Sequence, residues 1–161
     1  EILGASIFKV EGYGEEKYIK DQLISYESRT IQNKKEKFVN LFYDKELNRF
    51  NIKGSSYTGK ASNENVIGNW WNHKILQVNS QISPLSGSIK EQVVTFIKKE
   101  KINLYGKTYE VDHFTLKSKN MNLPKEKRLD FDIWYDQKNS MIIKVAYSRM
   151  GNWEYRLKNF Q

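Results

Sequence analysis

The chain contains no cysteine in 161 residues. That excludes disulfides, thiol nucleophiles and thiolate metal sites, while leaving the compartment open. Proline occurs only twice, and no repeat, linker or low-complexity tract divides the chain. No apolar run approaches the ~20 residues that a membrane-spanning helix requires. No signal peptide is read at the start, which excludes nothing about export. The two histidines, His73 and His113, fall short of a usual zinc set. There is no Gly-x-Ser-x-Gly elbow and no glycine-rich phosphate loop. Glu15 and Glu16, being adjacent on a strand, point to opposite faces and make a poor acid–base pair. The sequence therefore predicts no catalytic residue, no metal site and no cofactor.

What the chain does have is aromatic surface and positive charge. Hydrophobic residues make up 39% and aromatics 14%, so the core must lean on rings. At this length one domain over residues 1–161 is expected, burying roughly 70% of its unfolded surface. The net charge is +8, which suits a polyanionic partner or an anionic surface. The lysines, however, sit in mixed clusters such as Lys98-Lys99-Glu100-Lys101 and Lys125-Glu126-Lys127-Arg128, the pattern of solvated strand ends and loops. Aromatics interleave with lysine as in sheets that bind single strands, but the basic side chains gather on no single face. Nucleic acid is not the expected partner.

The clearest pattern lies near the end. Leu129, Phe131, Ile133 and Tyr135 alternate with Asp130, Asp132, Trp134 and Asp136, the period of a strand with one face on a core. Met141, Ile143, Val145 and Tyr147 continue the odd parity, as do Trp153, Tyr155 and Leu157. Keeping odd residues on one face predicts two three-residue loops, each with a left-handed third position. Gln137-Lys138-Asn139 would pair Tyr135 with Met141 and Ile133 with Ile143. Arg149-Met150-Gly151 would pair Tyr147 with Trp153, Val145 with Tyr155 and Ile143 with Leu157. On the even face this register places Asp132, Lys144 and Arg156 in one row, with Trp134, Ile142 and Lys158 in the next.

Earlier in the chain, Phe8, Val10, Gly12, Gly14 and Tyr18 share one face of a first strand. Further strands are read over 23–30, with Ile24, Tyr26, Ser28 and Thr30 on one face, and over 37–43 and 47–52. Residues 92–104 and 108–117 form a hairpin through Tyr105-Gly106, with a bulge between Val111 and Phe114. Between these groups, Gly54 to Ser88 is rich in small and polar residues. Within it Ile67, Trp71, Ile75 and Val78 recur at helical spacing, predicting a short helix over about 65–77 capped by Asn63 or Asn69. The expected fold is all-β: an antiparallel meander of about nine strands forming a curved sheet, half-barrel or barrel, with that helix across its open side.

Four aromatics are the candidate ligand-binding residues: Tyr57, Trp70, Trp71 and Trp134. Adjacent helical positions diverge by ~100°, so Trp70 and Trp71 cannot fill one spot, and one of them should face a cavity or solvent. Trp134 is a large ring on an otherwise polar face. Asp130, Asp132 and Asp136 share that face, but same-face neighbours on a strand stand ~7 Å apart, which suits an ion-paired surface better than a cation site.

Several landmarks follow one another in a recognisable order: Thr58-Gly59, Asn69-Trp70-Trp71-Asn72, Leu85-Ser86-Gly87-Ser88, Gly106-Lys107-Thr108-Tyr109, Ile133-Trp134-Tyr135-Asp136, and Gly151-Asn152-Trp153-Glu154-Tyr155-Arg156-Leu157. From about Glu27 to the end the chain resembles an uncharacterised family of exported bacterial proteins, a domain-of-unknown-function family closing on W-Y-D … G … Y-R-L. The resemblance implies a periplasmic or secreted home and carries over no catalytic residue. It also implies one or two strands preceding the stretch that matches Ile7 to Thr30, so that this chain lacks an N-terminal hairpin or receives those strands from another chain. By analogy with the open half-barrels of lipoprotein carriers, the expected function is non-enzymatic binding of a lipid-like or other apolar ligand within the curved sheet. The alternative is an envelope interaction or assembly protein that uses a free strand edge or its basic surface.

Overall fold

The computed structural model describes residues 10–32, 34–147 and 153–156. The fold is all-β, as expected. Twelve strands are described, against the nine read from sequence: β1 (Val10–Ile19), β2 (Gln22–Gln32), β3 (Lys35–Asp44), β4 (Arg49–Gly54), β5 (Thr58–Ser62), β6 (Val66–Ile67), β7 (Ser80–Ile82), β8 (Ile89–Leu104), β9 (Lys107–Ser118), β10 (Asp130–Asp136), β11 (Met141–Tyr147) and β12 (Trp153–Arg156). They form two sheets rather than one. The first runs β1-β2-β3-β4-β5 and the second β12-β11-β10-β9-β8-β7-β6. Each has two free ends in this order, so neither closes into a barrel. The chain also falls into two compact units, residues 1–65 with 82–89, and residues 66–81 with 90–161.

In the first unit, strands pair in simple hairpin order. Left-handed backbone marks the turns: Lys20, Lys34 and Asn48 have positive φ, and of the three only asparagine favours it. Tyr26, Ser28 and Thr30 are buried on one face, as the alternation predicts, and Val39, Leu41, Phe50, Ile52 and Ala61 complete that side. Ile24 falls out of the expected row because a bulge lies between Lys17 and Tyr18, where Lys17 pairs with Ser25 and Tyr18 with Leu23. The segment after β7 is tied to this sheet. Both Tyr26 Oη (2.9 Å) and Ser28 Oγ (2.6 Å) donate to the Pro84 carbonyl, and Ser56 N donates to Ser86 O. Gly54 permits this approach, since a Cβ there would overlap the Ser86 carbonyl oxygen.

The second unit carries a core on each face of its sheet. Ile75, Leu116, Leu129, Ile133, Ile142 and Val145 cluster on one side, with Trp70, Phe114 and Phe131 packed against them. Leu104, Val111 and Ile143 form a smaller cluster with Trp134, Tyr109 and Met141. Ile133 and Trp134 are consecutive, so the two clusters lie on opposite faces of β10.

The registers confirm one hairpin and correct another. Tyr147 pairs with Trp153 and Val145 with Tyr155, as predicted, although the Arg149-Met150-Gly151 loop and the Ile143–Leu157 pair lie outside the described residues. Between β10 and β11 the loop is one residue longer than expected. Asp136 pairs with Met141 and Tyr135 with Ile142, and the left-handed residue is Ser140 rather than Asn139. The cause is local: the Asp136 carboxylate accepts hydrogen bonds from Lys138 N (3.0 Å), Asn139 N (3.4 Å) and Asn139 Nδ2 (2.6 Å), building an Asx-type turn. A bulge at Ile143 then restores parity, so that Ile133 meets Val145 and Trp134 meets Lys144. Lys144 still pairs with Arg156, but Asp132 faces Ala146. The predicted row of Asp132 with Lys144 is therefore replaced, as is the row of Trp134 with Ile142.

The β8–β9 hairpin turns through Tyr105-Gly106, both with positive φ, the two-residue form that matches strand twist. The expected bulge is present but sits across the ladder, at Ile97 of β8, opposite His113 and Phe114.

The helix expected over 65–77 is replaced by the two-residue β6 and one 3-10 turn, His73–Leu76. Asparagine side chains compete with helical hydrogen bonds there: Asn69 Oδ1 accepts from Asn72 N (3.2 Å), and Asn72 Oδ1 accepts from Lys74 N (3.1 Å). Asn72, not Asn63 or Asn69, is the cap. The apolar stripe breaks at Trp71, which is exposed, while Ile67 and Ile75 are buried. The turn is fastened by Gln92, whose Nε2 donates to Ile75 O (2.8 Å) and Val78 O (3.0 Å). Its Oε1 accepts from Gln81 Nε2 (2.6 Å).

Candidate functional site

Of the four aromatics singled out from sequence, Tyr57 belongs to the first unit and the three tryptophans to the second. Tyr57 is half-buried and donates its hydroxyl to Lys60 O (2.8 Å). It lies over Gly59, where a Cβ would meet the Tyr57 hydroxyl at 2.6 Å. Trp70 packs edge-on to Phe131, with centroids 4.8 Å apart, in the larger core. Trp71 is 73% exposed. The adjacent pair therefore diverges as expected, one ring inward and one outward. Trp134 lies on the opposite sheet face from Trp70, so those two do not share a site.

Trp134 instead organises a polar cluster that sequence reasoning missed. It is the cross-strand partner of His113 on β9 and of Lys144 on β11. The imidazole stacks on the indole at 4.6 Å with a 14° interplanar angle, and Lys144 Nζ lies 4.5 Å from the indole centroid. The indole Nε1 donates to Glu100 Oε1 at 2.5 Å. Lys98 Nζ is 3.0 Å from Glu100 Oε2. These contacts hold the Glu100 carboxyl below its usual range: the indole donor is the larger cause and Lys98 the next. His113 Nε2 lies 2.7 Å from Asp132 Oδ1, while its buried Nδ1 makes no hydrogen bond and stands 3.8 Å from Glu100 Oε1.

A histidine between two carboxylates has the makings of an acid–base group. Here the ring face is covered by Trp134, one nitrogen engages Asp132 and the other is buried, so no nitrogen is presented to a substrate. Among the described residues, no group of three His, Asp or Glu side chains could hold a metal ion. Asp130 is exposed, Asp132 serves His113 and Asp136 is committed to its turn, which separates the three aspartates that the alternation places on one face.

Two further surface features stand out in the second unit. The first is the edge of β8. This strand has 16 residues, whereas its outer neighbour β7 has only three. Gln92 N donates outward to Asn79 O, so by strand alternation the N–H groups of Val94 and Phe96 also point away from β9, beyond the reach of β7. Val93, Phe96 and Ile97 are each about half exposed along it. The second is a cleft of about 870 Å³ at the far end of the sheet, with Asp112, Lys99 and Lys138 in its wall.

Searches among curated proteins and among solved structures find no match. The model of the family described as Domain of unknown function (DUF6134) matches residues 1–158, and the chain belongs to that family.

Proposed function

We infer that the protein is a non-enzymatic interaction module whose β8 edge takes up an extended segment of a partner protein. The open edge from Val93 to Ile97 is the observation that carries this reading. An unpaired strand offers a row of backbone donors and acceptors, and its exposed side chains supply the pockets that read a partner sequence. The side chains exposed along it are Val93, Phe96 and Ile97, so the fitting partner segment is apolar where it meets 93–97. The cluster around Trp134 supports a role without chemistry, because its titratable groups are engaged with one another. A home outside the cytoplasm, implied by the family resemblance, forms part of the proposal and is tested by fractionating cells that express the full-length gene.

The test is crosslinking mass spectrometry in native extracts, comparing the parent chain with Val93→Lys/Ile97→Lys. Both positions are exposed, and a charged edge resists pairing. Crosslinks that map to residues 93–99 and disappear in the variant, with the fold retained by circular dichroism, are expected. Crosslinks that map elsewhere, or survive the variant, overturn the reading.

Binding of a lipid-like ligand remains the second reading, favoured by Trp71, a large ring presented at the surface. It predicts a Trp emission shift with phospholipid or fatty acid that is lost in Trp71→Phe; an unchanged emission in the parent chain removes it.

A further inference from the structure

The cleft at the end of the second sheet exists because one hairpin outruns its neighbour. β10 pairs with β9 only as far as Tyr135 and Asp112, while β9 begins five residues earlier, at Lys107. The turn after Asp136 leaves the sheet, and a notch opens between that turn and the β8–β9 hairpin. Two carboxylates are buried in its wall, Asp112 at 6% and Asp136 at 3% exposure. Asp136 is satisfied three times over by its own turn. Asp112 makes no hydrogen bond or ion pair with any described residue, although Lys99 is its direct cross-strand neighbour. The Asp112 oxygens are not among the fully buried unpaired atoms, so the carboxylate of this otherwise buried residue keeps access to the surface, and the notch is the cleft it lines.

The cations of the wall divide in the same way. Lys101 pairs with Glu110 (3.6 Å) and Lys107 lies over Tyr109. The ammonium groups of Lys99, on the hairpin, and Lys138, on the turn, form no ion pair with any described residue. The notch thus presents one acceptor and, from its two walls, two exposed donors that no described protein group engages.

We propose that the notch binds a small zwitterion of the phosphorylated amino-alcohol class, with the ammonium on Asp112 and the phosphate on Lys99 and Lys138. A carboxylate accepts hydrogen bonds only, and an ammonium donates three. A phosphate carries more charge and more acceptor oxygens than a carboxylate, so two lysines on separate walls engage it together. The volume exceeds that of the zwitterion alone and lies within the range of small-molecule sites. The same group occurs free or at the end of a phospholipid. The site is independent of the β8 edge, and Val93→Lys/Ile97→Lys leaves it intact.

The experiment is calorimetric titration of the full chain with phosphoethanolamine, with inorganic phosphate and ethanolamine as single-charge controls. Expected is saturable binding at least tenfold tighter than either control. Asp112→Asn, which keeps the side-chain shape, weakens it at least tenfold, and so does Lys138→Ala at an exposed position that does not endanger folding. Vesicles with phosphatidylethanolamine, set against vesicles with phosphatidylcholine, identify the source. Ethanolamine-selective vesicle binding that free phosphoethanolamine displaces assigns a lipid headgroup, and binding of the free compound alone assigns a soluble ligand. Affinity no better than that of inorganic phosphate, or unchanged affinity in a folded Asp112→Asn or Lys138→Ala variant, overturns the proposal.

Discussion

Replacing Gln92 with leucine should weaken the second unit by about 1–4 kcal/mol. Gln92 is 2% exposed, and its side chain is the only tie described between β8 and the carbonyls of Ile75 and Val78. Leucine leaves both carbonyls and the Gln81 amide without their partner. The Val78 carbonyl is near enough to the surface to find water, so two groups count, at ~1–3 kcal/mol each for a buried polar group left unpaired. The added apolar burial of leucine returns ~1–2 kcal/mol. All four tryptophans lie in the second unit, so urea unfolding followed by Trp emission reads that unit alone. Because Gln81 and Gln92 share a bond of 2.6 Å, the double variant Gln81→Leu/Gln92→Leu should cost at least ~1 kcal/mol less than the sum of the singles. A loss below ~0.5 kcal/mol for Gln92→Leu, or strict additivity, would refute the assignment of Gln92 as the clasp of the 3-10 turn.

Further perturbations test other parts of the account. Gly54→Ala drives a Cβ into the Ser86 carbonyl and should cost ~1–3 kcal/mol in the first unit, as overpacking against backbone does; proteolysis within 83–88 would report the displaced segment. The Glu100 carboxyl is held low by the Trp134 indole and Lys98, so its contribution is present above the unfolded carboxylate pKa and lost as pH falls through the folded value. Trp134→Phe should bring the Glu100 pKa upward in an NMR titration, and an unmoved pKa would sink that cause. Burial raises the Tyr26 pKa, against the lowering influence of the neighbouring Ser28 hydroxyl and with help from Glu16. Its contribution is therefore complete below pH ~10 and declines as pH rises through the folded value. Tyr26→Phe should shallow the alkaline loss of stability, checked by unfolding at pH 8 and above pH 10.

Much of the second sheet was legible because its alternation is clean. The odd residues of β11 and β12 fixed their own register, and Tyr105-Gly106 announced its hairpin. The β10–β11 register was not legible. It turns on Asp136 choosing its own turn as hydrogen-bond partner and on a bulge at Ile143, and neither disturbs the apolar pattern, since the bulge restores the parity that the longer loop breaks. The helix over 65–77 was misread because spacing reports periodicity but not the competition from Asn69 and Asn72 side chains. The divergence of Trp70 and Trp71 followed from adjacency alone and survived the loss of the helix. The role of His113 was hidden because its meeting with Trp134 needs the β9–β10 register, and no short turn joins those strands. Asp112 was equally silent: its isolation comes from where β10 stops.

Amide hydrogen exchange along β8 bears most directly on the claim that this strand keeps an open edge for a partner. Val94 and Phe96 should exchange rapidly, while Val93 and Thr95, turned toward β9, remain protected. Uniform protection from Val93 to Phe96 would mean that the edge is already occupied, and the interaction proposal would fail with it.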